Sequence, residues 1–374
     1  MTPVTSAEIR RLLCQRSATM GVPVSGIFEL TPRCNLQCKM CYVRLTPEQM
    51  APLGQELTAA QWLALAQEAK EAGMVFLLIT GGEPTLRSDF GEIYEALATM
   101  GFSIAINTNG TLLPPRLREL FHRLPPAQVN VTLYGSCPED YDALCGNGSV
   151  FAQVEEAIHW LQAENILVHL NCTVTPDNVH HFKQLEDYAR TQGLELRLTT
   201  YCLPPSRREG CTVCDSFRRL SAEDAAELLV KDILIREGMD GIRNRANHLS
   251  SPPRADCDPG VGDAISCMAG RSQFWISWNG TMSPCGMFTR PGTQPLEQGF
   301  QTAWTQLKEQ TAAIRLCPDC RVCPEKATCM NCAAVTYTET GSFSGKPEYM
   351  CRLNHSYREK LTALARAATG ERHE

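Results

Sequence analysis

The chain of 374 residues has no run of about 18 apolar side chains, so no segment of its sequence reads as a transmembrane helix. It has no long basic tract either. Lys and Arg number 35 against 41 Asp and Glu, a net charge of −6, which disfavours binding through nucleic-acid phosphates. Arg10, Arg11 and Arg16 lie near the start, but no apolar stretch follows them. The opening therefore does not read as a secretory signal, and the expected location is the cytoplasm. Internal repeats and low-complexity tracts are missing as well. With 43% apolar and 20% charged residues, the composition is that of an ordinary globular chain, which excludes disorder for most of its length.

What the chain has in excess is cysteine, at 19 residues. Disulfide scaffolds are typically short secreted chains, so in a reducing compartment this density points to metal or redox chemistry. Six short β-rich runs, at 26–31, 74–80, 103–108, 128–134, 167–174 and 194–200, alternate with amphipathic stretches such as 58–72 and 151–163. Alternating units of this kind predict a mostly parallel sheet with right-handed crossovers. Six units are too few for a closed eight-stranded barrel, so the expected fold is α/β, a partial (β/α)6 TIM-like barrel. Function in such sheets gathers at the C-terminal ends of the strands. The pattern breaks after Thr200. A helical stretch is expected over 222–236, a linker marked by Pro252, Pro253 and Pro259 follows, and a helical tail is expected over 358–369. The expected organisation is an N-terminal extension (1–23), the α/β core (24–220), a helical bridge (221–254), a small Cys-rich domain (255–352) and the tail (353–374).

Cys34, Cys38 and Cys41 form a CxxxCxxC directly after the first predicted strand. Three thiolates on one loop can hold three corners of a cubane iron–sulfur cluster and leave the fourth iron open. Zinc would need a fourth ligand, and the nearest histidine in sequence is His122. The second predicted strand ends in Thr80-Gly81-Gly82-Glu83-Pro84, where paired glycines allow a close backbone approach and a carboxylate can meet an ammonium. The third ends in Asn107-Thr108-Asn109-Gly110; Thr132 and Asn171 lie near the ends of the fourth and fifth.

From about Val24 to Thr200 these motifs, in this order, resemble the radical SAM enzymes. The resemblance implies that Cys34, Cys38 and Cys41 hold a [4Fe–4S] cluster whose open iron chelates S-adenosylmethionine (SAM). It places Met40 and Tyr42 near the adenine, and Gly81, Gly82, Glu83 and Pro84 in the segment contacting the SAM amino group. Asn107, Asn109, Thr132 and Asn171 stand where the family puts polar groups toward the rest of the cofactor. The implied reaction is one-electron cleavage of the sulfonium to a 5′-deoxyadenosyl radical, which abstracts hydrogen from substrate. A reductant such as flavodoxin or ferredoxin is the implied partner.

Nine more cysteines lie between Cys257 and Cys351. The order Cys267-x12-Gly280-x4-Cys285, then Cys320-x2-Cys323-x5-Cys329-x2-Cys332, then Cys351, resembles the SPASM extension of peptide-modifying radical SAM enzymes; its usual last short gap is three residues, here two. Two auxiliary [4Fe–4S] clusters are implied. One falls to Cys267, Cys285 and Cys332 with Cys257, the other to Cys320, Cys323, Cys329 and Cys351. Cys317 is left over and is an alternative to Cys257. Paired cysteines at this spacing also suit a zinc knuckle. Residues 274–288 read as a β-hairpin turning at Asn279-Gly280, with Trp275 and Trp278 as packing residues.

The resemblance implies a polypeptide substrate and maturation of a ribosomally made peptide by thioether or C–C cross-linking, epimerisation or a related step. The alternative is an anaerobic sulfatase-maturing enzyme. In that group an aspartate commonly follows the cysteine of the G-x4-C element, whereas here Gly286 follows Cys285. Many peptide maturases carry an N-terminal recognition domain, and about 25 residues precede the first strand, so leader recognition would fall to another protein or surface. Cys202, Cys211 and Cys214 follow the last core strand. By position Cys202 is the candidate to face substrate as hydrogen donor or transient ligand, with apolar packing as the competing reading. Arg207, Arg208, Arg218 and Arg219 read as a solvated basic face or a contact for an acidic leader. Cys14, Cys137, Cys145 and Cys172 read as core or incidental, and His180-His181 as a helix face. A non-catalytic iron–sulfur carrier is the reading from another class; the open three-cysteine motif argues against it.

Overall fold

The structure is a computed structural model that describes residues 6–203, 219–250, 265, 267–288, 290–326 and 329–369. Its centre is an eight-stranded sheet in the order β6-β5-β4-β3-β2-β1-β7-β8. The strands are β1 (Ser25–Glu29), β2 (Phe76–Thr80), β3 (Ser103–Thr108), β4 (Gln128–Thr132), β5 (Val168–Thr173), β6 (Glu195–Thr199), β7 (Gln273–Ile276) and β8 (Met282–Ser283). β1 to β6 are the six expected strands, all parallel and each beside the next. Every residue of β1 is buried, as befits a central parallel strand covered on both faces.

The hairpin forms as expected, but it is not a separate ribbon. β7 lies parallel to β1, with Ile27 opposite Trp275, and β8 returns antiparallel. The sheet therefore gains two strands from the Cys-rich segment, a non-local pairing that no local sequence pattern encodes.

The helices are α1 (Ser6–Met20), α2 (Pro47–Met50), α3 (Ala59–Glu71), α4 (Phe90–Thr99), α5 (Pro115–Arg123), α6 (Pro138–Cys145), α7 (Phe151–Ala163), α8 (Phe182–Thr191), α9 (Ala222–Ser250), α10 (Pro295–Gln298), α11 (Phe300–Ala312), α12 (Pro318–Val322), α13 (Ala333–Thr340) and α14 (Glu348–Thr369). Thr58 opens α3 with a capping box to Gln61, satisfying backbone donors at both positions. One core, including Phe28, Trp62, Tyr94, Phe274 and Trp304, runs under β1, β7 and their helices. Two helical expectations were too short. α9 continues past Arg236 through a break at Gly238, whose φ is +64°. α14 begins at Glu348, ten residues early, because Tyr349, Met350 and Leu353 are buried against the core. The two helices pack through Val230, Ile233, Ile242 and Leu361.

Candidate active site

The cysteine loop leaves the C-terminal end of β1 and is held on three sides. At its start Arg33 makes a two-pronged ion pair with Glu56, 2.8 Å on each prong, and Thr31 hydrogen-bonds the same carboxylate. Buried Arg87 donates to the carbonyls of Leu30 (2.9 Å) and Leu57 (3.0 Å) and pairs with Asp89. On the far side, the loop amides of Gln37 and Lys39 donate to Cys145 and Leu144 carbonyls at the end of α6, at 3.2 and 3.1 Å.

The loop after β2 forms the third wall. Gly82 N donates to Thr31 O (2.7 Å) and Glu83 N to Arg33 O (2.9 Å). A Cβ on Gly82 would stand 2.4 Å from Arg33 O, and one on Gly81 2.5 Å from Thr31 O. The paired glycines are thus required by contact with the cysteine loop itself. Glu83 is fully buried, and its carboxylate accepts from Thr85 N (3.1 Å), Thr85 Oγ1 (2.6 Å), Thr108 Oγ1 (2.9 Å) and Asn109 N (2.7 Å). Burial pushes its pKa up against these bonds. The side chain ties the ends of β2 and β3 together, with Pro84 buried beside it.

Asn109 carries the connection to the cysteines. Its Nδ2 donates to Asn35 Oδ1 (2.9 Å) and lies 3.7 Å from Cys34 Sγ, while its Oδ1 accepts from Thr111 N and Oγ1. Asn107 accepts from Asn130 Nδ2 at 2.7 Å, one strand further from the loop. Thr132 and Asn171 are in register on β4 and β5 and half-buried. Met40 and Tyr42 are half-buried on the loop, Met40 packing against the core.

Two of the three sulfurs are met by backbone donors. Leu36 N reaches Cys34 Sγ at 3.4 Å and Arg44 N reaches Cys41 Sγ at 3.3 Å. Cys38 is buried, and its loop is tied to the end of α6 through the backbone carbonyls of Leu144 and Cys145. Burial pushes the Cys34 thiol up to about 12. Three cysteines on one loop, two of them already met by backbone donors, are the donor set a cubane cluster needs. Cys145 is a core residue, as expected, and its carbonyl at the end of α6 receives the loop amide of Gln37, a contact with no local sequence signal.

In the C-terminal segment, Cys285 and Cys332 pack on one small apolar cluster with Ile265 and Phe288, and Cys267 lies within electrostatic reach of Cys332. Cys320 hydrogen-bonds Cys317 and lies near Cys351 and Cys329, and Cys351 and Cys329 are each near Cys323. Cys317 lies beside Cys320, whose backbone N–H donates to its carbonyl at 3.0 Å. Cys211, Cys214, Cys257, Arg207, Arg208 and Arg218 lie outside the described residues.

Cys202 is buried after β6, and burial pushes its thiol up to about 11. Arg219 is no solvated basic residue. It pairs with Glu339, stacks 3.7 Å over Tyr349 and donates to Cys202 O at 3.3 Å. Nor is His181 a bare helix face: its Nδ1 bonds buried Asp140 at 2.5 Å, and Asp140 also accepts from Ser136 N. Cys137 lies within 4.8 Å of that pair.

Residues 28–189 match the radical SAM superfamily. The chain carries a radical SAM domain. Over nearly their whole lengths it is 24% identical to the AdoMet-dependent heme synthase of Methanosarcina barkeri, covering 89% of this chain and 97% of that protein. It is 28% identical to the mycofactocin maturase MftC of Mycobacterium ulcerans across 62% of this chain and 60% of the relative. Its fold matches Streptococcus suis SuiB bound to the precursor peptide SuiA, with a TM-score of 0.67 and 15% identity over 94% of this chain and 82% of SuiB. The domain explains why the loops after β1, β2 and β3 converge: they build the wall around the three cysteines.

Proposed function

We propose that this radical SAM enzyme takes hydrogen from a peptide substrate in maturing a ribosomally made peptide. The observation that carries the radical chemistry is the CxxxCxxC loop at the sheet's C-terminal rim, with Cys34 and Cys41 hydrogen-bonded and the loop clamped by Glu83, Asn109 and Arg33. A [4Fe–4S] cluster bound there together with SAM would supply the one-electron chemistry that starts hydrogen abstraction. Cys34, Cys38 and Cys41 would hold the cluster. The loops bearing Gly81, Gly82 and Asn109 would fix its position, and Met40, Tyr42, Thr132 and Asn171 would line the approach to it. Cys267, Cys285 and Cys332 (with Cys257) and Cys320, Cys323, Cys329 and Cys351 would hold two auxiliary clusters.

The SuiB fold and the mycofactocin maturase relationship support the peptide reading. A tetrapyrrole substrate is the second reading, favoured by the heme synthase that aligns along almost its whole length. Sulfatase maturation is opposed at Gly286. A Cβ there would stand 2.7 Å from the Trp275 ring, so the position after Cys285 has no room for a carboxylate.

Anaerobic incubation of the reconstituted enzyme with SAM and dithionite tests the core chemistry. 5′-Deoxyadenosine should form and vanish in Cys34→Ala; a wild-type enzyme that forms none is a carrier. Candidate precursor peptides and iron-coproporphyrin are then supplied separately. Mass change in a peptide supports the first reading, loss of carboxyl groups from the porphyrin the second. Iron content gives the cluster count: about twelve per chain, falling to about eight when Cys34, Cys38 and Cys41 are all replaced by Ala.

A further inference from the structure

The loops after β4 and β5 bring together a thiol, a carboxylate and an imidazole. Cys137 stands at the N-terminal cap of α6, Asp140 lies in the first turn of that helix, and His181 ends the short turn before α8. One ligand atom from each lies within 4.8 Å of the other two. β4 and β5 are parallel neighbours, so both loops stand at the same rim of the sheet as the cysteine loop. Asp140 is 1% exposed, and its two oxygens have separate partners: Oδ2 accepts from Ser136 N at 3.2 Å, and Oδ1 meets His181 Nδ1 at 2.5 Å. The loop after β4 lies flat against this carboxylate, since a Cβ on Gly135 would stand 2.1 Å from Asp140 Cβ. Asn178 joins the two loops, donating from Nδ2 to Tyr134 O and accepting from Thr175 N, both at 2.8 Å. The carboxylate is thus fixed from behind, while Cys137 and His181 are half-buried on its accessible side.

Sulfur, nitrogen and oxygen donors in one set suit a borderline divalent ion such as Zn²⁺, and thiolate and carboxylate together balance its charge. The Ser136 N–H on the far oxygen is the outer contact that orients a ligating carboxylate. We propose that Cys137, Asp140 and His181 bind one divalent transition-metal ion of the Zn²⁺ class, with water completing the shell. Binding releases the Cys137 thiol proton to solvent, and the ion replaces the proton between Asp140 and His181. The imidazole and carboxylate then separate to about 3.3 Å, the span of two tetrahedral ligands at about 2.0 Å from the metal. Rotation of the half-exposed His181 ring supplies that movement. The site goes beyond the radical reading and does not depend on it, because no cysteine assigned to a cluster takes part.

The test uses the full-length protein with its iron–sulfur clusters reconstituted, and Zn²⁺ as the probe. After incubation and gel filtration, the wild type should hold about one zinc per chain more than Cys137→Ala or His181→Ala, with iron the same in all three. X-ray absorption at the zinc edge should show one sulfur at about 2.3 Å and nitrogen or oxygen ligands at about 2.0 Å. Added Zn²⁺ should also raise the melting temperature of the wild type more than that of Cys137→Ala, since the ion binds the folded site. A wild type that retains no zinc overturns the site. Equal zinc in the wild type and both variants, or a shell of sulfur alone, places the metal among other cysteines and overturns it too. Should His181→Ala not fold, Cys137→Ala decides alone.

Discussion

Asn109, just past the end of β3, reaches across to the first cysteine of the loop, its side-chain nitrogen 3.7 Å from Cys34 Sγ and 2.9 Å from Asn35 Oδ1. The same side chain accepts two bonds from Thr111. Replacing Asn109 with Ala leaves the buried Thr111 N–H without its acceptor, at about 1–3 kcal/mol. The loop should loosen while the C-terminal cysteines are untouched. Asn109→Ala is therefore expected to lose the SAM-responsive iron selectively on gel filtration, which iron analysis combined with EPR will check.

Gly82 makes the same prediction sharper. Its missing side chain admits the Arg33 carbonyl, and a methyl group there would sit 2.4 Å from that oxygen. The obstructing atom is backbone, so relief requires moving the cysteine loop. Gly82→Ala is expected to cost about 1–3 kcal/mol as overpacking. It should also reduce SAM cleavage by a larger factor than Thr85→Ala, which disturbs Glu83 without displacing the loop. 5′-Deoxyadenosine yield per cluster measures the difference.

Away from the site, Glu186 gives a pH dependence. Burial, then the neighbouring Asp232, pushes its carboxyl up to about 7, against about 4.3 in an unfolded chain. The fold therefore favours the protonated form. This contribution is fully present below the unfolded value and fades as pH rises through 7. The melting temperature should fall between pH 5.5 and pH 8 more in the wild type than in Glu186→Gln, which cannot ionise. Equal falls in the two proteins would show that Glu186 does not titrate in this range.

The local parts of this architecture are legible in the sequence. β3 and α7 begin and end where alternation and helical spacing place them, because their patterns are short-range and their flanks polar. The cysteine loop, the GGEP turn and the TNG end are legible for the same reason: each is contiguous in sequence. Three features are not. β7 joins β1 across some 250 residues, the Cys145 carbonyl meets the Gln37 amide only because α6 stops at Gly146, and Arg219 finds Glu339 from a segment that reads as basic and exposed. Each depends on long-range packing, which composition and periodicity do not specify. Glu83 shows a subtler limit. A carboxylate beside two glycines suggests an ammonium partner, while the fold surrounds it with hydroxyl and amide donors of its own.

Arg219 and Glu339 join the segment after β6 to α13. The guanidinium is mostly buried, lies over the Tyr349 ring, and shares a carboxylate that is itself almost fully covered. A buried pair of this kind adds little net stability over an apolar substitute, but removing one partner strands the other charge at about 3–5 kcal/mol. Arg219→Ala and Glu339→Gln should each lower the denaturation midpoint markedly. The double variant should be less destabilised than the sum, since neither charge is then left alone. Arg219→Lys should fall between, keeping the charge but losing the two-pronged fork and the planar stack. Denaturant melts of the four proteins, followed by iron content, would report whether this contact also holds the second cysteine group in place. If it does, iron should be lost from the C-terminal clusters in Arg219→Ala while the SAM-responsive signal persists. Strict additivity of the two single variants would mean that the pair is exposed to solvent and screened.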